Sequence, residues 1–322
     1  MTEPNPTIRN ISDTARWVAC FRARETQRPD ALFRDPYAGR LAGERGFQIA
    51  SALLDGNKHE WAWAARTFLF DEFLYGEIQE GVDMVVNLAA GLDARPYRLP
   101  LPAALRWVEV DLPEILSYKE EILGKEKPRC RLERMRLDLS DVCARRALFA
   151  ELSRGVRRAA IVTEGLLLYF SAEEVGSLAR DLAAGEHFQS WIIDLVSPGQ
   201  LKSMQRTIGK QLGEAGAAFK FGPSEGAHFF ARHGWEPKDV QGLLKTAAQF
   251  NRLPIELHSL LPEPEGVPGN FPWSGVCLLK KPRALLDGNH PASLQRSDEL
   301  KKNDGRATRR LSSALRFAAA GR

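Results

Sequence analysis

Between residues 84 and 197 the sequence alternates short apolar runs with longer amphipathic ones. No other feature constrains the fold as tightly. MVVNLAA (84–90), RWVEVD (106–111), RLERMRLDL (131–139), AAIVTEGLLLYF (159–170) and SWIIDLVS (190–197) contain segments of strand length. Three of them carry the unbroken Val/Ile/Leu character of strands covered on both faces. The intervening stretches are helical. LPEILSYKEEIL (112–123) places Pro113 in a first turn, where its missing N–H costs nothing. SAEEVGSLARDLAA opens with Ser171 and Glu174 at capping-box spacing. Strand–helix alternation of this kind predicts an α/β, doubly wound parallel sheet with helices on both faces.

The flanks differ. Residues 13–24 and 60–80 read as helices, with Trp17, Val18 and Phe21 on one face of the first. The proline-broken stretch 28–39 reads as an ordered connector. Residues 199–250 are helix-like but interrupted by glycines. LPIELHSLL (253–261) and WSGVCLLKK (273–281) suggest an antiparallel closing pair, bringing the strands to seven.

The net charge of +4 is unevenly placed. From Lys281 onward there are ten Lys or Arg against four Asp or Glu, so the basic excess belongs to the tail. This argues against a nucleic-acid-binding body. Residues 1–282 read as one domain and 283–322 as a basic, weakly ordered tail. The four cysteines, Cys20, Cys130, Cys143 and Cys277, are scattered, as expected in a reducing compartment. The opening MTEPNPTIRN lacks a basic patch followed by an apolar run, and no apolar run reaches membrane-spanning length, so a cytoplasmic location is expected. His228 and His233 have no acid or cysteine to complete a metal set, so no metal is expected.

The chemistry concentrates in NLAAGLDARPYRL (87–99). A dinucleotide loop needs several glycines so that the backbone can approach a pyrophosphate. Here only Gly91 is available, and Asp93 would repel phosphate. Acids recur at four consecutive strand ends: Asp93, then Glu109 with Asp111, then Asp138, then Glu164. Asp111 follows Gly91 by 20 residues, close to the spacing of a ribose-binding acid. A nucleoside with a cationic rather than anionic extension fits, and S-adenosylmethionine is such a molecule.

NLAAGLDARPYRL, WVEVDLPEILSYK, RLDLSD and VTEGLLLYF, with RARETQRPDALFRDPYAGRLAG and ARTFLFDEFL upstream, resemble the leucine carboxyl methyltransferase family. That family includes protein phosphatase carboxyl methyltransferases and bacterial relatives linked to polyketide O-methylation. The resemblance spans roughly residues 15–280. It implies a class I methyltransferase, Rossmann-like, with S-adenosylmethionine as cofactor. By resemblance, Arg66 would clasp the methionine carboxylate and Gly91 would admit the ligand to the backbone. Asp111 would hold the ribose hydroxyls, Asp138 and Leu139 would flank the adenine, and Glu164 would face the methionine end. The sequence departs from the family at Ala89, where a first glycine is usual.

The implied activity is methyl transfer to an oxygen, carboxylate or phenol, of a small molecule or a C-terminal carboxylate. No catalytic residue is assigned, although Tyr169 is a candidate for the active site. Residues 199–235, with the N-terminal helices of 13–80, would form a lid. Two other readings stay open. One is an NAD(P)-dependent oxidoreductase, which shares the acid after the second strand but lacks the glycine pattern. The other is a non-catalytic module that kept the nucleoside pocket.

Overall fold

The computed structural model describes residues 8, 10–53, 59–214, 216–263 and 269–282. The five apolar runs become β1 (Met84–Leu88), β2 (Arg106–Asp111), β3 (Arg131–Arg136), β4 (Ala159–Thr163) and β5 (Phe188–Val196). Two further strands follow, β6 (Glu236–Gly242) and β7 (Ser274–Lys280). One sheet contains all seven in the order β3-β2-β1-β4-β5-β7-β6. The first five are parallel, with Val86 opposite Val108 and Ile161. β7 runs antiparallel to both β5 and β6. The expected doubly wound sheet is therefore present, with strand order reversing between β1 and β4. Ligands in such sheets bind outside the carboxyl ends of the strands at that reversal.

The helices are α1 (Ile11–Gln27), α2 (Ala38–Ala52), α3 (Glu60–Gln79), α4 (Arg95–Arg98), α5 (Pro113–Leu123), α6 (Val142–Leu152), α7 (Ala172–Ala183), α8 (Pro198–Glu214) and α9 (Leu243–Gln249). Alternate residues of the inner strands supply opposite faces. Val86, Val108, Ile161 and Ile193 pack with α6 and α7, whereas Val85, Trp107, Val162 and Ile192 pack with α3 and α9. A third apolar cluster joins α1, α2, α5 and α8 beyond the strand ends. The capping box forms as read: Ser171 Oγ accepts from Glu174 N at 3.2 Å, and Glu174 accepts from Ser171 N at 2.7 Å. Pro113 opens α5 in its first turn.

Two sequence expectations need correction. Residues 253–261 do not form the closing strand. They make a 3-10 turn over Ile255–Leu260 behind Pro254, whose ring removes a ladder donor. The partner of β7 is Glu236–Gly242, a mostly exposed edge strand whose composition shows no apolar alternation. Helix α2 also had no counterpart in the sequence reading. Its periodicity is broken by Gly43, which kinks it at φ 56°. The basic segment 283–322 lies outside the described residues. No helix among the described residues is long and apolar enough to cross a membrane.

Candidate functional site

The loop after β1 turns sharply through two left-handed residues, Ala89 at φ 51° and Gly91 at φ 50°. That conformation carries the Gly91 N–H to the end of β2, where it donates to Asp111 Oδ2 at 2.6 Å. Leu112 N donates to Asp111 Oδ1 at 2.7 Å. Burial raises the Asp111 carboxyl above its ordinary value, against these two N–H groups and the charge of Lys119. Each Asp111 oxygen has spent one lone pair on the main chain, which leaves acceptor capacity for a ligand.

Behind this loop lies a buried ionic lattice. Arg95 donates to Asp71 at 2.6 Å, to Asp93 at 2.9 Å and to Glu164 at 2.7 Å. Arg98 makes a two-pronged pair with Asp71, both bonds at 2.7 Å. Burial alone would raise the Asp93 carboxyl, but Arg95, Lys119 and Arg98 outweigh it and hold the group well below its ordinary value. Glu164 is likewise held low: burial opposes its charge, and Arg95 and Arg66 more than compensate.

Arg66 projects from α3 to the ends of β4 and β5. Its Nη1 donates to Asp194 Oδ2 at 3.1 Å, and its Nε lies 3.2 Å from Glu164 Oε1. Asp194 also accepts from Gly165 N at 2.8 Å. Burial raises the Asp194 carboxyl, with Arg66 opposing. The exposed Asp138 accepts from Ser140 N at 2.8 Å, beside the buried Leu139.

All six residues expected from the sequence, Arg66, Gly91, Asp111, Asp138, Leu139 and Glu164, line one cavity of about 380 Å³. It sits at the carboxyl ends of β1, β2, β4 and β5, where the strand order reverses. Helix α1 contributes Ser12, Thr14 and Trp17 to the wall, and α8 contributes Ser203, Met204, Thr207 and Ile208. Tyr169 lines it too. Its phenol is pushed above the ordinary value by burial, despite a hydrogen bond to Thr14. The Tyr169 and Phe219 rings lie 5.6 Å apart.

Other candidates are placed elsewhere. Glu109 is fully buried and committed to Lys119 at 2.6 Å and Arg134 at 2.9 Å. His233 packs against Arg180 at 3.1 Å, and neither it nor His228 lines the cavity. Among the described residues no group of His, Cys, Asp or Glu could hold a metal ion. Asp194 was missed by the sequence reading. Its signal was available, because an acid within the apolar run SWIIDLVS needs a buried partner.

Comparison with known proteins agrees with this architecture. A family model described as leucine carboxyl methyltransferase matches residues 15–183. A protein of Parafrankia sp. (strain EAN1pec), named "Putative S-adenosyl-L-methionine-dependent methyltransferase", is 31% identical over 271 residues, covering 77% of this chain and 84% of its own. A Mycobacterium sp. (strain KMS) protein of the same name is 32% identical over 263 residues, covering 73% and 86%. Among solved structures, a methyltransferase-titled protein from Thermobifida fusca superposes with a TM-score of 0.51 at 16% identity, covering 87% of this chain and 99% of that one. A DUF574 family protein from Streptomyces avermitilis also gives 0.51, at 13% identity, covering 84% and 97%. At such identities these two structures speak for the fold alone.

Proposed function

The chain belongs to the leucine carboxyl methyltransferase family and is an S-adenosylmethionine-dependent methyltransferase, and from that premise we propose that it methylates an oxygen, in the first instance a carboxylate. The cofactor fits the residues present. Five acids line the cavity, Asp93, Asp111, Asp138, Glu164 and Asp194, against three arginines, Arg22, Arg66 and Arg95, an excess of negative charge suited to a sulfonium and an amino group. The same acids disfavour a pyrophosphate. Arg66 has the planar guanidinium that suits the methionine carboxylate. Asp111 would take the ribose hydroxyls, Asp138 and Leu139 would flank the adenine, and Glu164 would face the methionine amino group.

When bound, the cofactor supplies an activated methyl group. An acceptor oxygen held in line with the donor would take that methyl group. The products are a methyl ester and the neutral thioether. The chain's own task is alignment and exclusion of water. The residues of 199–235, with α1, would serve as the lid for both.

One observation carries the preference for a carboxylate acceptor. The cavity's carboxylates are engaged by arginines or main-chain N–H groups, the Tyr169 phenol is hydrogen-bonded to Thr14, and His59, which also lines the cavity, has a partner of its own. A neutral phenol or alcohol needs a base to take its proton, whereas a carboxylate arrives ionised. The test is transfer of labelled methyl from S-adenosylmethionine to matched panels of aromatic carboxylic acids and phenols. Label released by mild alkali marks an ester. Label stable to alkali and found only on phenols would overturn the carboxylate preference.

A further inference from the structure

The cavity continues past the residues assigned to the cofactor. Those stand on α3 and at the ends of β1 to β4, whereas Gln200 and Ser203 of α8 and Ser274 of β7 line the cavity on its β5 side. Strand register places this arm beside the methionine end. Asp194 of β5, the partner of Arg66, stands opposite Val276 of β7, and the next pair on that face is Val196 with Ser274. Helix α8 leaves from the same place. The buried Ser197 hydroxyl donates to Phe271 O at 2.5 Å and accepts from Gln200 N and Trp273 N, each at 3.1 Å. It ties the first turn of α8 to the segment that leads into β7. Gln200, Ser203 and Thr207 then follow one another on the cavity side at helical spacing, while Lys202, Gln205 and Arg206 are exposed.

The arm has unspent hydrogen-bonding capacity. Among the described residues, the side chains of Gln200, Ser203 and Ser274 make no hydrogen bond. Each residue is half-buried, and none of these polar atoms is sealed from solvent. By contrast, Thr14 is bonded to Tyr169, and Thr207 Oγ1 donates to Ser203 O at 2.9 Å. Ser12 of α1 and Ser140 beside Asp138 are also open, but each belongs to another wall.

Together the three side chains offer one amide and two hydroxyls, which donate and accept without carrying charge. The cavity's cations are already engaged: Arg22 by Asp35, Arg66 by Asp194 and Arg95 by Asp71. A second anionic group placed in the arm would meet Asp194 with no cation left to balance it. An apolar group would strip water from three polar side chains and return no hydrogen bond.

We propose that Gln200, Ser203 and Ser274 form the specificity arm of the acceptor site, selecting a monocarboxylate whose far end bears a neutral hydrogen-bonding group such as an amide. This rests on the methyl-transfer reading above, and on the carboxylate preference only for the reacting oxygen. The three residues choose the acceptor and take no part in the transfer itself. A site built to hydrogen-bond a substrate group discriminates strongly against the analogue that lacks it.

The experiment titrates the full chain, saturated with S-adenosylhomocysteine, by calorimetry. The probes are the meta and para isomers of carbamoylbenzoate, methylbenzoate and benzenedicarboxylate. For at least one isomer, carbamoylbenzoate should bind at least tenfold more tightly than methylbenzoate, and benzenedicarboxylate should bind more weakly than both. Gln200→Leu, Ser203→Ala and Ser274→Ala should each shrink the amide preference. Equal affinities across the panel, absence of binding throughout, or a preference unchanged in all three variants would overturn the arm. The wild-type ratio decides even if a variant fails to fold. Labelled methyl transfer to the same benzoates, and to carbamoylphenol and methylphenol, separates this proposal from the carboxylate preference. Ester formation without an amide preference would defeat the arm alone. An amide preference with alkali-stable label on the phenols only would defeat the carboxylate preference alone.

Discussion

The Gly91 main-chain N–H donates to Asp111 Oδ2 at 2.6 Å, joining the loop after β1 to the end of β2. The second Asp111 oxygen accepts from Leu112 N at 2.7 Å, at the start of α5. One carboxylate therefore shapes two loops of the proposed cofactor site. Hydrogen bonds to a charged acceptor contribute about 1.5–3 kcal/mol each. Asp111→Ala should lower stability by about 2 kcal/mol or more, with Asp111→Asn intermediate because one oxygen remains. Urea unfolding of the three proteins checks this. Equal stability of all three would mean that the two loops are fixed by other contacts.

Ala89 occupies a conformation that favours glycine, at φ 51°. A side chain there costs more than the added freedom of a glycine in the unfolded chain. Ala89→Gly should stabilise by about 1 kcal/mol, a rise of roughly 2–4 °C in Tm. A β-branched Ala89→Val should destabilise. Calorimetric melting of both variants measures the sign, and a lower Tm for Ala89→Gly would contradict the strain.

Arg95 sets the response to acid. Burial disfavours the charge on Asp93 and Glu164, yet Arg95 and its neighbouring cations hold both carboxyls below their ordinary values. A lowered carboxyl contributes stability above its unfolded pKa and loses it as pH falls through the folded value. In Arg95→Gln, burial acts with less opposition and both carboxyls should rise. The sign then reverses: the variant should be relatively more stable in acid and lose stability towards neutral pH. Removing one partner of a buried ionic cluster costs about 3–5 kcal/mol, so the deficit at pH 7 should be of that order. Urea midpoints between pH 4 and 7 test the reversal, and parallel curves for the two proteins would refute it.

The elements most legible in the sequence were those whose signal was local. β2 matches the alternating run 106–111, and α7 begins where Ser171 and Glu174 form the capping box. The loop after β1 was legible because Gly91, Asp93 and Asp111 stand at spacings with one chemical purpose. β6 was not legible, because an exposed edge strand needs no apolar alternation, and EPKDVQG has none. The turn at 255–260 has the apolar composition of a strand, and only Pro254 marks it as something else. Asp194 is hard to place from SWIIDLVS alone, because a strand acid shows its role only through the group it pairs with. Arg66, 128 residues away in sequence, supplies that partner only in the fold.

The lid reading predicts a pattern of protection. The cavity is walled on one side by α1 and on another by α8, each presenting both apolar and hydroxyl side chains. Adding S-adenosylhomocysteine should slow amide exchange in Ile11–Gln27 and Pro198–Glu214 as well as in the strand-end loops. Protection confined to the loops after β1, β2 and β4 would leave the lid without support.

The most direct measurement is calorimetric titration of the purified chain with S-adenosylhomocysteine and, in parallel, nicotinamide adenine dinucleotide, repeated on Asp111→Ala. A site with one loop glycine and an acidic lining should bind the thioether with negligible dinucleotide affinity. Loss of the Asp111 carboxylate should weaken thioether binding at least tenfold. Preferential dinucleotide binding, or thioether affinity unchanged in Asp111→Ala, would contradict the site as assigned.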